Sequence, residues 1–461
     1  MKNFKSIFVH TPQLTLNSEG SVCSSINFSA MGLYSIVNEL NKTGFPTKII
    51  HLGIEKYLNK NFLLSDYIRQ NNIKFVAFSL HWHPQSFDVI ETAKYIKSKN
   101  PDVFLSLGGF TASYFAEEIM KKFPFIDAII KGEGELPTVE LVKAISSNQH
   151  LETVPNLIWR NYDEIVVNKN TFVASNNDLN SYEFFKTDYM KNFESYSKIP
   201  FYMEYSKPNQ LNNPMTTQGV CLGRGCTGNC TWCGGGCKAI KLVTGRNFVS
   251  YRNTNNIVAE IKSLQKEHNI ERFLFSFDPN PNDRKFLYEL FLKIIDEFKG
   301  ELKATFSFFG LPDKKILDLF KQAFSDDSVA IISPEFYNEN LRKKHKSFYF
   351  SNKEFENILE YMEKLKIHSE IYFAIIPNVP QEENNKSEEY AKHLQNTYKM
   401  INKYYIIPII YEPASPWTLN PKKFGLDIKP KIFEDYYNDT KNIRESFENR
   451  EVFAEKDLYV V

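Results

Sequence analysis

The sequence predicts an α/β protein built from two consecutive parallel sheets. Two observations predict this fold class. Short β-branched or aromatic runs alternate with helical patterns through both halves of the chain, and polar or glycine-rich loops follow many of those runs. Strands that alternate with helices form right-handed βαβ units and parallel sheets. We therefore expect a doubly wound, Rossmann-like sheet first and a partial (β/α)6 TIM-like barrel after it.

The N-terminal sheet is predicted within residues 1–150. Helical spacing covers about 33–40, 60–72, 86–98, 114–123 and 136–146, and Gly44 is suited to end the first of these helices. The predicted strands are Ser6–His10, Lys48–Leu52, Phe75–Ser79, Val103–Leu107 and Ala128–Lys131.

The second half is predicted as a connector with a small hairpin (151–214), a barrel (215–415) and a C-terminal tail (416–461). The predicted barrel strands are Thr216–Val220, Arg272–Phe277, Lys303–Phe308, Val329–Ser333, Ser369–Ile375 and Ile406–Tyr411. The predicted barrel helices are Asn256–Glu267, Arg284–Phe298, Asp313–Phe324, Asn352–Leu365 and Ser387–Ile401.

Composition excludes several classes of function. The chain has 461 residues, of which 42% are hydrophobic and 24% charged, with a formal net charge of +1 and no long basic run. We therefore expect no nucleic-acid surface and no membrane contact. The N-terminus has too short an apolar run for a secretory signal. Cysteines that are clustered rather than spread as pairs indicate a reducing compartment, so the expected location is cytoplasmic.

One short stretch carries the clearest chemistry. Residues 221–237 read CLGRGCTGNCTWCGGGC and hold five of the six cysteines. Cys226, Cys230 and Cys233 have the spacing C-x3-C-x2-C, and Trp232 precedes the last of them. Structural zinc requires four ligands, usually as two separated pairs, although Cys221 or Cys237 would supply a fourth. A triplet favours a [4Fe–4S] cluster with one open iron.

Glycine-rich and polar loops follow two of the N-terminal strands. In open parallel sheets, ligands bind outside the carboxyl ends of the strands. Paired glycines followed by hydroxyl side chains allow close backbone approach to a large polar ligand. No G-x-G-x-x-G follows the first strand, so a nicotinamide site is not expected. The candidate ligand-binding residues are Gly108, Gly109, Thr111, Ser113, Gly132 and Glu133.

The cysteine triplet resembles the signature of the radical S-adenosylmethionine (SAM) enzymes. The resemblance implies that Cys226, Cys230 and Cys233 hold a [4Fe–4S] cluster whose open iron binds SAM, and that Trp232 lies beside the adenine. It further implies that an electron, delivered by a reductant such as flavodoxin or ferredoxin, cleaves SAM to a 5'-deoxyadenosyl radical. A partial barrel is the fold that this resemblance implies as well.

The GGFTAS and GEGE loops ahead of that triplet resemble the cobalamin-binding radical SAM enzymes. The resemblance implies a corrinoid on the carboxyl edge of the first sheet, with its tail near Gly108–Ser113. The D-x-H-x-x-G sequence that supplies a cobalt-ligating histidine in other B12 proteins is absent, as it commonly is in this class. His81, Trp82 and His83 are candidates to approach the lower cobalt face, and the alternative is that they are only packed or solvated.

Polar residues at the predicted barrel strand ends are candidates for SAM binding. A carboxylate suits the ammonium or the ribose diol, and an arginine suits the carboxylate of SAM. For each of these residues the alternative is a helix cap or a solvated side chain. The candidates are Ser276, Asp278, Ser333, Glu335 and Arg342, with Asn280, Glu412 and Ser415 nearby.

Taken together, the residues and the resemblance predict a cobalamin-dependent radical SAM enzyme, most simply a methyltransferase for an unactivated carbon of a small-molecule or peptide substrate. In the implied mechanism, Co(I) takes a methyl group from one SAM, and a radical from a second SAM removes a hydrogen from the substrate. The substrate radical then captures the methyl group. A non-methylating rearrangement, cyclisation or other transfer is one alternative, and a non-catalytic corrinoid or iron–sulfur sensor is another.

Overall fold

The structure is a computed structural model that describes residues 4–16, 21–200, 202–205, 216–376, 379–429 and 431–448. The predicted boundary at residues 214 and 215 and the last part of the predicted tail, 449–461, lie outside the described residues. None of the helices in the described part of the chain has the length and apolar character that a membrane-spanning segment requires.

The first half folds around a parallel sheet, as predicted. Its strands are β1 (Lys5–His10), β2 (Gln13–Leu16), β3 (Val22–Ser25), β4 (Thr47–His51), β5 (Ile73–Ser79), β6 (Phe104–Gly108), β7 (Ala128–Ile130), β8 (Leu157–Asn161) and β9 (Glu164–Val167). Its helices are α1 (Gly32–Lys42), α2 (Leu52–Leu58), α3 (Leu64–Gln70), α4 (Ser86–Lys99), α5 (Phe110–Tyr114), α6 (Ala116–Lys122) and α7 (Glu135–Ser146).

The strand order in this sheet is β4-β1-β5-β6-β7-β8-β9. The first five strands of that order are parallel, whereas β8 and β9 extend the edge as an antiparallel hairpin. The chain adds β4 on one side of β1 and β5 on the other side. The connections therefore leave β1 and β5 in opposite directions, and a crevice opens between the carboxyl ends of these two strands. The hairpin predicted within the connector therefore belongs to the N-terminal sheet.

A short linking region and a small sheet join the two halves. Helices α8 (Asn176–Ser181) and α9 (Phe193–Tyr196) precede strand β10 (Met203–Glu204), which pairs with β3 in a three-stranded sheet of order β10-β3-β2. This sheet was not predicted, because its strands have only two to four residues each. Cys23 lies in β3 and is fully buried.

The second half folds as the predicted partial barrel. Its strands are β11 (Thr217–Gly219), β12 (Gly223–Arg224), β13 (Ser250–Tyr251), β14 (Arg272–Phe275), β15 (Lys303–Phe308), β16 (Val329–Glu335), β17 (His368–Ile375) and β18 (Ile401–Pro408). Its helices are α10 (Cys237–Thr244), α11 (Thr254–His268), α12 (Lys285–Phe298), α13 (Lys314–Ala323), α14 (Glu339–His345), α15 (Asn352–Leu365) and α16 (Gln381–Thr397).

Six of these strands form one parallel sheet in the order β11-β14-β15-β16-β17-β18, so each strand pairs with the next in sequence. Alternate residues of β15 and β16 are buried against the outer helices, while the others face the barrel interior and stay partly exposed. The antiparallel pair of β12 and β13 stands beside the cysteine loop.

Four elements differ clearly from the predictions. The predicted helix Ser387–Ile401 is α16, which begins six residues earlier at Gln381 and ends at Thr397. The predicted helix at 60–72 is the shorter α3, and an unpredicted α2 precedes it. The predicted helix at 114–123 is divided into α5 and α6, because Phe115 leaves the helical conformation. The last predicted strand, Ile406–Tyr411, is wrong by five residues at its start. Pairing with β17 begins at Ile401, and the polar residues that follow lie on an exposed edge, which hid the strand in the sequence.

The C-terminal helix α18 (Phe433–Glu448) returns to the N-terminal domain after a short helix α17 (Pro416–Leu419). Phe433 and Tyr436 are buried in the core beneath the first sheet, where they pack against Phe115. The hydroxyl of Tyr436 donates a hydrogen bond to the carbonyl of Tyr411 in the barrel domain. This helix therefore contacts both domains.

Candidate active site between the two domains

A cavity of about 830 Å³ lies where the two domains meet. This volume is within the range of large cofactor sites. The N-terminal sheet contributes the carboxyl ends of β1, β5 and β6, and the beginning of α1 contributes Met31 and Gly32. The barrel contributes β11, residues 223–225 of the cysteine loop, and the end of β14. Much of the lining is apolar, with Phe8, Phe28, Leu33, Ile36, Phe75, Phe110, Ile240 and Phe277.

The predicted glycine loops border this cavity. Gly108, Gly109, Ser113, Gly132 and Glu133 all contribute to its lining. Gly109 has a φ of +103°, and a Cβ placed there would lie 2.8 Å from the backbone of His81. The Ser113 hydroxyl accepts a hydrogen bond from the backbone N–H of Gly132 at 2.8 Å and donates one to the Gly109 carbonyl at 2.7 Å. These bonds tie the two glycine loops together beside the cavity.

His81 and Trp82 follow β5 and also line the cavity. Their rings meet edge to face, with centroids 4.7 Å apart. Burial lowers the pKa of His81 to about 4, so its imidazole is neutral at physiological pH. His83 is directed elsewhere, because its ring packs against Tyr436 of α18 at 4.8 Å and it does not line the cavity.

Three cysteines stand on the loop that follows β11, and each is partly buried. One backbone N–H donates to the sulfur of each: Gly228 to Cys226 at 3.3 Å, Ser347 to Cys230 at 3.4 Å and Gly235 to Cys233 at 3.2 Å. Amide donors of this kind stabilise thiolates and tune the potential of iron–sulfur clusters.

The surroundings of these thiols suit a metal-bound state. Burial raises the pKa of Cys226 to about 11, and burial together with the nearby Glu412 carboxylate raises that of Cys233 to about 12. Such thiols ionise readily only beside a positive partner such as iron. Within the described ranges, no three His, Cys, Asp or Glu side chains are grouped to hold a single metal ion.

Two contacts from the end of the barrel support the cysteine loop. The Glu412 carboxylate accepts a hydrogen bond from the Gly234 N–H at 2.7 Å, and burial raises the pKa of this glutamate. Trp417 is fully buried, and its backbone N–H donates to the carbonyl of Thr231 at 2.9 Å. Trp232 packs edge-on against Phe336 and Trp417, with centroids 5.8 and 6.2 Å away.

Three predicted SAM-binding residues, Ser276, Ser333 and Glu335, have side chains that are exposed or only partly buried. Ser276 is exposed to the cavity at the end of β14. Ser333 and Glu335 lie on β16, whose ladder with β17 is irregular at this point. Glu335 has a φ of +68° and lies 3.7 Å from the ammonium of the buried Lys346. Burial raises the pKa of Glu335, and the Lys346 charge opposes that effect.

Arg342 has a different role from the one predicted. It was predicted to bind the SAM carboxylate, but the guanidinium is fully buried and holds the chain around it. Its Nε donates to the carbonyl of Pro334 at 3.0 Å and its Nη1 to that of Phe350 at 2.8 Å. Its Nη2 donates to the carbonyl of Phe336 and, at 2.7 Å, to Oδ1 of Asn352. Four of the five N–H donors of the guanidinium are therefore used within the protein.

Asp278 also has a different role from the one predicted. Its carboxylate was predicted to contact SAM, but it is buried against the guanidinium of Arg284 at 2.9 Å. It also accepts hydrogen bonds from the backbone N–H groups of Phe309 and Gly310. This aspartate fixes the loops after β14 and β15 to each other.

Thr111 and Glu133 both form contacts within the protein, and only Glu133 lines the cavity. Thr111 does not line the cavity, because its hydroxyl and N–H both donate to the carbonyl of His81, at 3.0 and 3.2 Å. The Glu133 carboxylate is held by Arg246 and Arg224 of the barrel domain. Burial would raise the pKa of Glu133, but these two arginines outweigh it and hold the pKa below its usual range.

Arg224 and Arg246 are interface residues that sequence reasoning missed. Arg224 pairs with Glu133 at 2.9 Å and with Glu135, while Arg246 donates to Glu133 from Nε at 2.5 Å. We call these four side chains the interdomain ion cluster. The only sequence signal was an acidic loop, GEGE, in one half and arginines near the cysteines in the other.

The fold and this cavity define a class of two-domain α/β proteins. One domain offers a large, mainly apolar cavity at the edge of an open sheet, and the other presents three cysteines at the mouth of a partial barrel. The apolar walls and the glycine loops fit a corrinoid, and the three amide-supported sulfurs fit an iron–sulfur cluster.

Comparison with known families agrees with this class. Residues 23–142 match the B12 binding domain, and residues 220–394 match the radical SAM superfamily. The chain thus contains a B12 binding domain followed by a radical SAM domain. Cobalamin, SAM and a [4Fe–4S] cluster are the cofactors of these two domains.

The chain is also similar to individual proteins. It is 28% identical over 236 residues to an anaerobic magnesium-protoporphyrin IX monomethyl ester cyclase of Cereibacter sphaeroides, covering 50% of this chain and 32% of the relative. It is 24% identical over 299 residues to the cytidylyl-2-hydroxyethylphosphonate methyltransferase of Streptomyces wedmorensis, covering 57% and 53%. This chain thus spans only a third to about a half of the length of these relatives.

Among solved structures, the chain resembles the radical SAM methyltransferase TsrM from Kitasatospora setae. The structure with cobalamin and a [4Fe–4S] cluster bound matches with a TM-score of 0.66 and 14% identity, over 89% of this chain and 76% of that one. TsrM with its tryptophan substrate and a SAM analogue matches with a TM-score of 0.67. At this level of identity the likeness establishes the fold.

Proposed function

We propose that this chain is a cobalamin-dependent radical SAM methyltransferase that acts on an unactivated carbon of a small-molecule or peptide substrate. One observation carries the proposal: a single cavity is bordered by the glycine loops of the first sheet and by the cysteine loop of the barrel. Two cofactors bound at those loops would face a common space. Methyltransferases among the relatives, and the tryptophan substrate of TsrM, support methyl transfer to a small molecule.

The bound cofactors would supply an electron for SAM cleavage and a transferable methyl group. The residues of this chain orient them and protect the reaction. Apolar side chains such as Phe8, Phe75 and Phe277 keep water out of the cavity, which limits quenching of reactive species. The backbone N–H groups of Gly228, Ser347 and Gly235 hold the three cysteine sulfurs.

Partners and location follow from the same chemistry. The cluster requires a one-electron donor, and we propose a flavodoxin or ferredoxin. The balanced net charge of +1 gives no reason to expect nucleic acid as a partner. Free thiols at a cluster site need a reducing compartment, which supports a cytoplasmic location.

A second candidate function is a ring-forming reaction without methyl transfer. The similarity to the magnesium-protoporphyrin cyclase favours it. Methyl-labelled SAM separates the two functions. A methyltransferase incorporates the label into its product and releases S-adenosylhomocysteine, whereas a cyclase does neither.

The direct test is anaerobic reconstitution with iron and sulfide, then incubation with hydroxocobalamin, SAM and a chemical reductant such as dithionite, followed by mass spectrometry. We expect deoxyadenosine and S-adenosylhomocysteine from the native protein. Cys230→Ala removes a proposed cluster ligand and should abolish deoxyadenosine formation. Cys237→Ala is the matched control, since it removes a nearby thiol outside the triplet and should leave deoxyadenosine formation in place. Deoxyadenosine formed at the native rate by Cys230→Ala would refute the cluster assignment.

A further inference from the structure

We propose that the imidazole of His81 is the lower axial ligand to the cobalt of a bound corrinoid. The protein would then ligate cobalt through a histidine although it lacks the D-x-H-x-x-G sequence. This inference rests on the proposed cobalamin-dependent function and assigns one residue to it.

His81 stands where a corrinoid is expected to bind. His81 follows β5, next to the crevice between β1 and β5 where a ligand of this sheet type binds. Of the histidines in the described residues, His81 alone lines the 830 Å³ cavity. The glycine loop at Gly108 and Gly109, where the corrinoid is expected, is on the neighbouring strand β6.

Within the described residues, the His81 ring keeps a nitrogen lone pair that no hydrogen bond uses. In the part of the chain that the structure describes, no hydrogen bond is formed by the His81 ring, which is only partly buried. The other two histidines near this sheet edge are less suited. Both ring nitrogens of His51 are engaged, Nε2 with the Asn27 carbonyl at 2.7 Å and Nδ1 with the Ile54 N–H at 3.1 Å. His10 bonds the Ile26 carbonyl through Nε2 at 2.8 Å, and its ring is fully buried and does not line the cavity. A metal requires an unshared nitrogen lone pair, and His81 keeps one available.

The backbone and the ring of His81 are held in place by their neighbours. The His81 carbonyl accepts two hydrogen bonds from Thr111, and the close approach of Gly109 leaves no room for the loop to shift inward. The edge of Trp82 restricts rotation of the His81 ring. Metal ligands are effective when such surroundings hold them in place before the metal binds.

The histidine two residues later serves as an internal comparison. His83 shares the loop and the residue type, but it packs against Tyr436 and does not line the cavity. Exchange of His83 should therefore leave the cobalt environment unchanged. This pair permits a matched test.

The test uses cobinamide, a corrinoid without the benzimidazole base, so that any axial nitrogen must come from the protein. The full-length protein is loaded with cob(II)inamide under anaerobic conditions, and its electron paramagnetic resonance (EPR) spectrum is recorded. A coordinated ¹⁴N splits each cobalt hyperfine line into a triplet. Protein grown with ¹⁵N-histidine should show doublets instead. We expect triplets for the native protein and for His83→Ala, and unsplit lines for His81→Ala.

Each outcome decides the proposal. Unsplit lines from corrinoid-loaded native protein would overturn it while leaving the proposed function standing. A triplet that persists in ¹⁵N-histidine protein would overturn it as well, because the nitrogen would not be that of histidine. Failure of the native protein to retain any corrinoid would refute both this inference and the cobalamin part of the function. Because the isotope experiment uses the native sequence, it does not depend on whether His81→Ala folds.

Discussion

At the scale of single residues, Gly109 determines where the His81 loop can lie. A methyl group at this position would stand 2.8 Å from the backbone of Leu80 and His81, at a φ of +103°. We expect Gly109→Ala to lower the free energy of unfolding by about 2 kcal/mol or more, since it combines backbone strain with a clash. Thermal denaturation of the cofactor-free protein measures this effect.

Gly108 is the matched control. It precedes Gly109 on the same strand end, but a Cβ there meets nothing within 4 Å. Gly108→Ala should therefore change the free energy of unfolding by less than about 1 kcal/mol. Equal midpoints for the two variants would contradict the assignment of Gly109 as the residue that fixes the loop.

Arg342 provides a second prediction at this scale. Because its guanidinium satisfies three backbone carbonyls, Arg342→Lys should destabilise the cofactor-free protein by about 2–4 kcal/mol. The neighbouring Lys343 is exposed, and Lys343→Ala should change stability by no more than about 0.5 kcal/mol. If Arg342→Lys instead kept the native melting temperature and lost only SAM affinity, the structural assignment would fail.

Residue types and their spacing predicted the cysteine triplet and the glycine loops, because both signals are local in sequence. The hydrogen-bond partners of buried polar side chains could not be predicted in this way. Asp278 and Arg342 had suitable chemistry for SAM, but nearby carbonyl, amide and guanidinium groups satisfy them first. Which partner lies closest depends on tertiary packing, and a single sequence does not display it.

At the scale of elements, α18 attaches the C-terminal segment to the first domain. Phe433 is buried among Phe115 and Phe123, and its N–H donates to the Glu118 carboxylate at 2.8 Å. Phe433→Ala should therefore destabilise the protein by about 3–5 kcal/mol. Ile432, one residue earlier and half exposed, is the control, and Ile432→Ala should cost less than about 1 kcal/mol. Urea titration followed by circular dichroism checks both values, and similar losses would show that α18 is not docked as described.

Element positions followed from the sequence where hydrophobic periodicity was strong. Strand β15 and helix α15 begin and end at the predicted residues. Hydrophobic periodicity did not predict the elements that are defined by strand pairing rather than by burial. Strand β18 lies on a barrel edge with exposed polar residues, and the short β2–β3 hairpin has only four residues in each strand.

At the scale of the whole molecule, the interdomain ion cluster holds the glycine loops against the barrel. Removing one partner of a buried ion pair leaves an uncompensated charge, so Glu133→Gln should lower the free energy of unfolding by about 3 kcal/mol near neutral pH. Glu140→Gln is the control, since Glu140 pairs with Lys143 on the exposed surface and should contribute less than about 1 kcal/mol.

The Glu133 contribution should depend on pH in a defined direction. The folded pKa of Glu133 lies below its ordinary value of 4.5. Its stabilising contribution is therefore complete above 4.5 and is lost as the pH falls through the lower, folded value. The difference in melting temperature between the native protein and Glu133→Gln should be constant above that range and shrink in more acidic buffer. A difference that grew with acidity would contradict the ion-pair account.

The relative placement of the two domains was the least predictable property. Each domain could be inferred from its own pattern, but the cavity between them depends on contacts such as Arg246 with Glu133, which are 113 positions apart. The same holds for α18, whose docking against α4 joins the two ends of the chain.

The central claim is that three thiolates hold a cluster with one iron open to SAM. The most direct measurement is EPR spectroscopy of the anaerobically reconstituted and reduced protein, recorded with and without SAM. The account predicts about four irons per chain and a cluster signal that changes when SAM is added. Bound zinc without an iron–sulfur signal, or a cluster signal that SAM leaves unchanged, would contradict it.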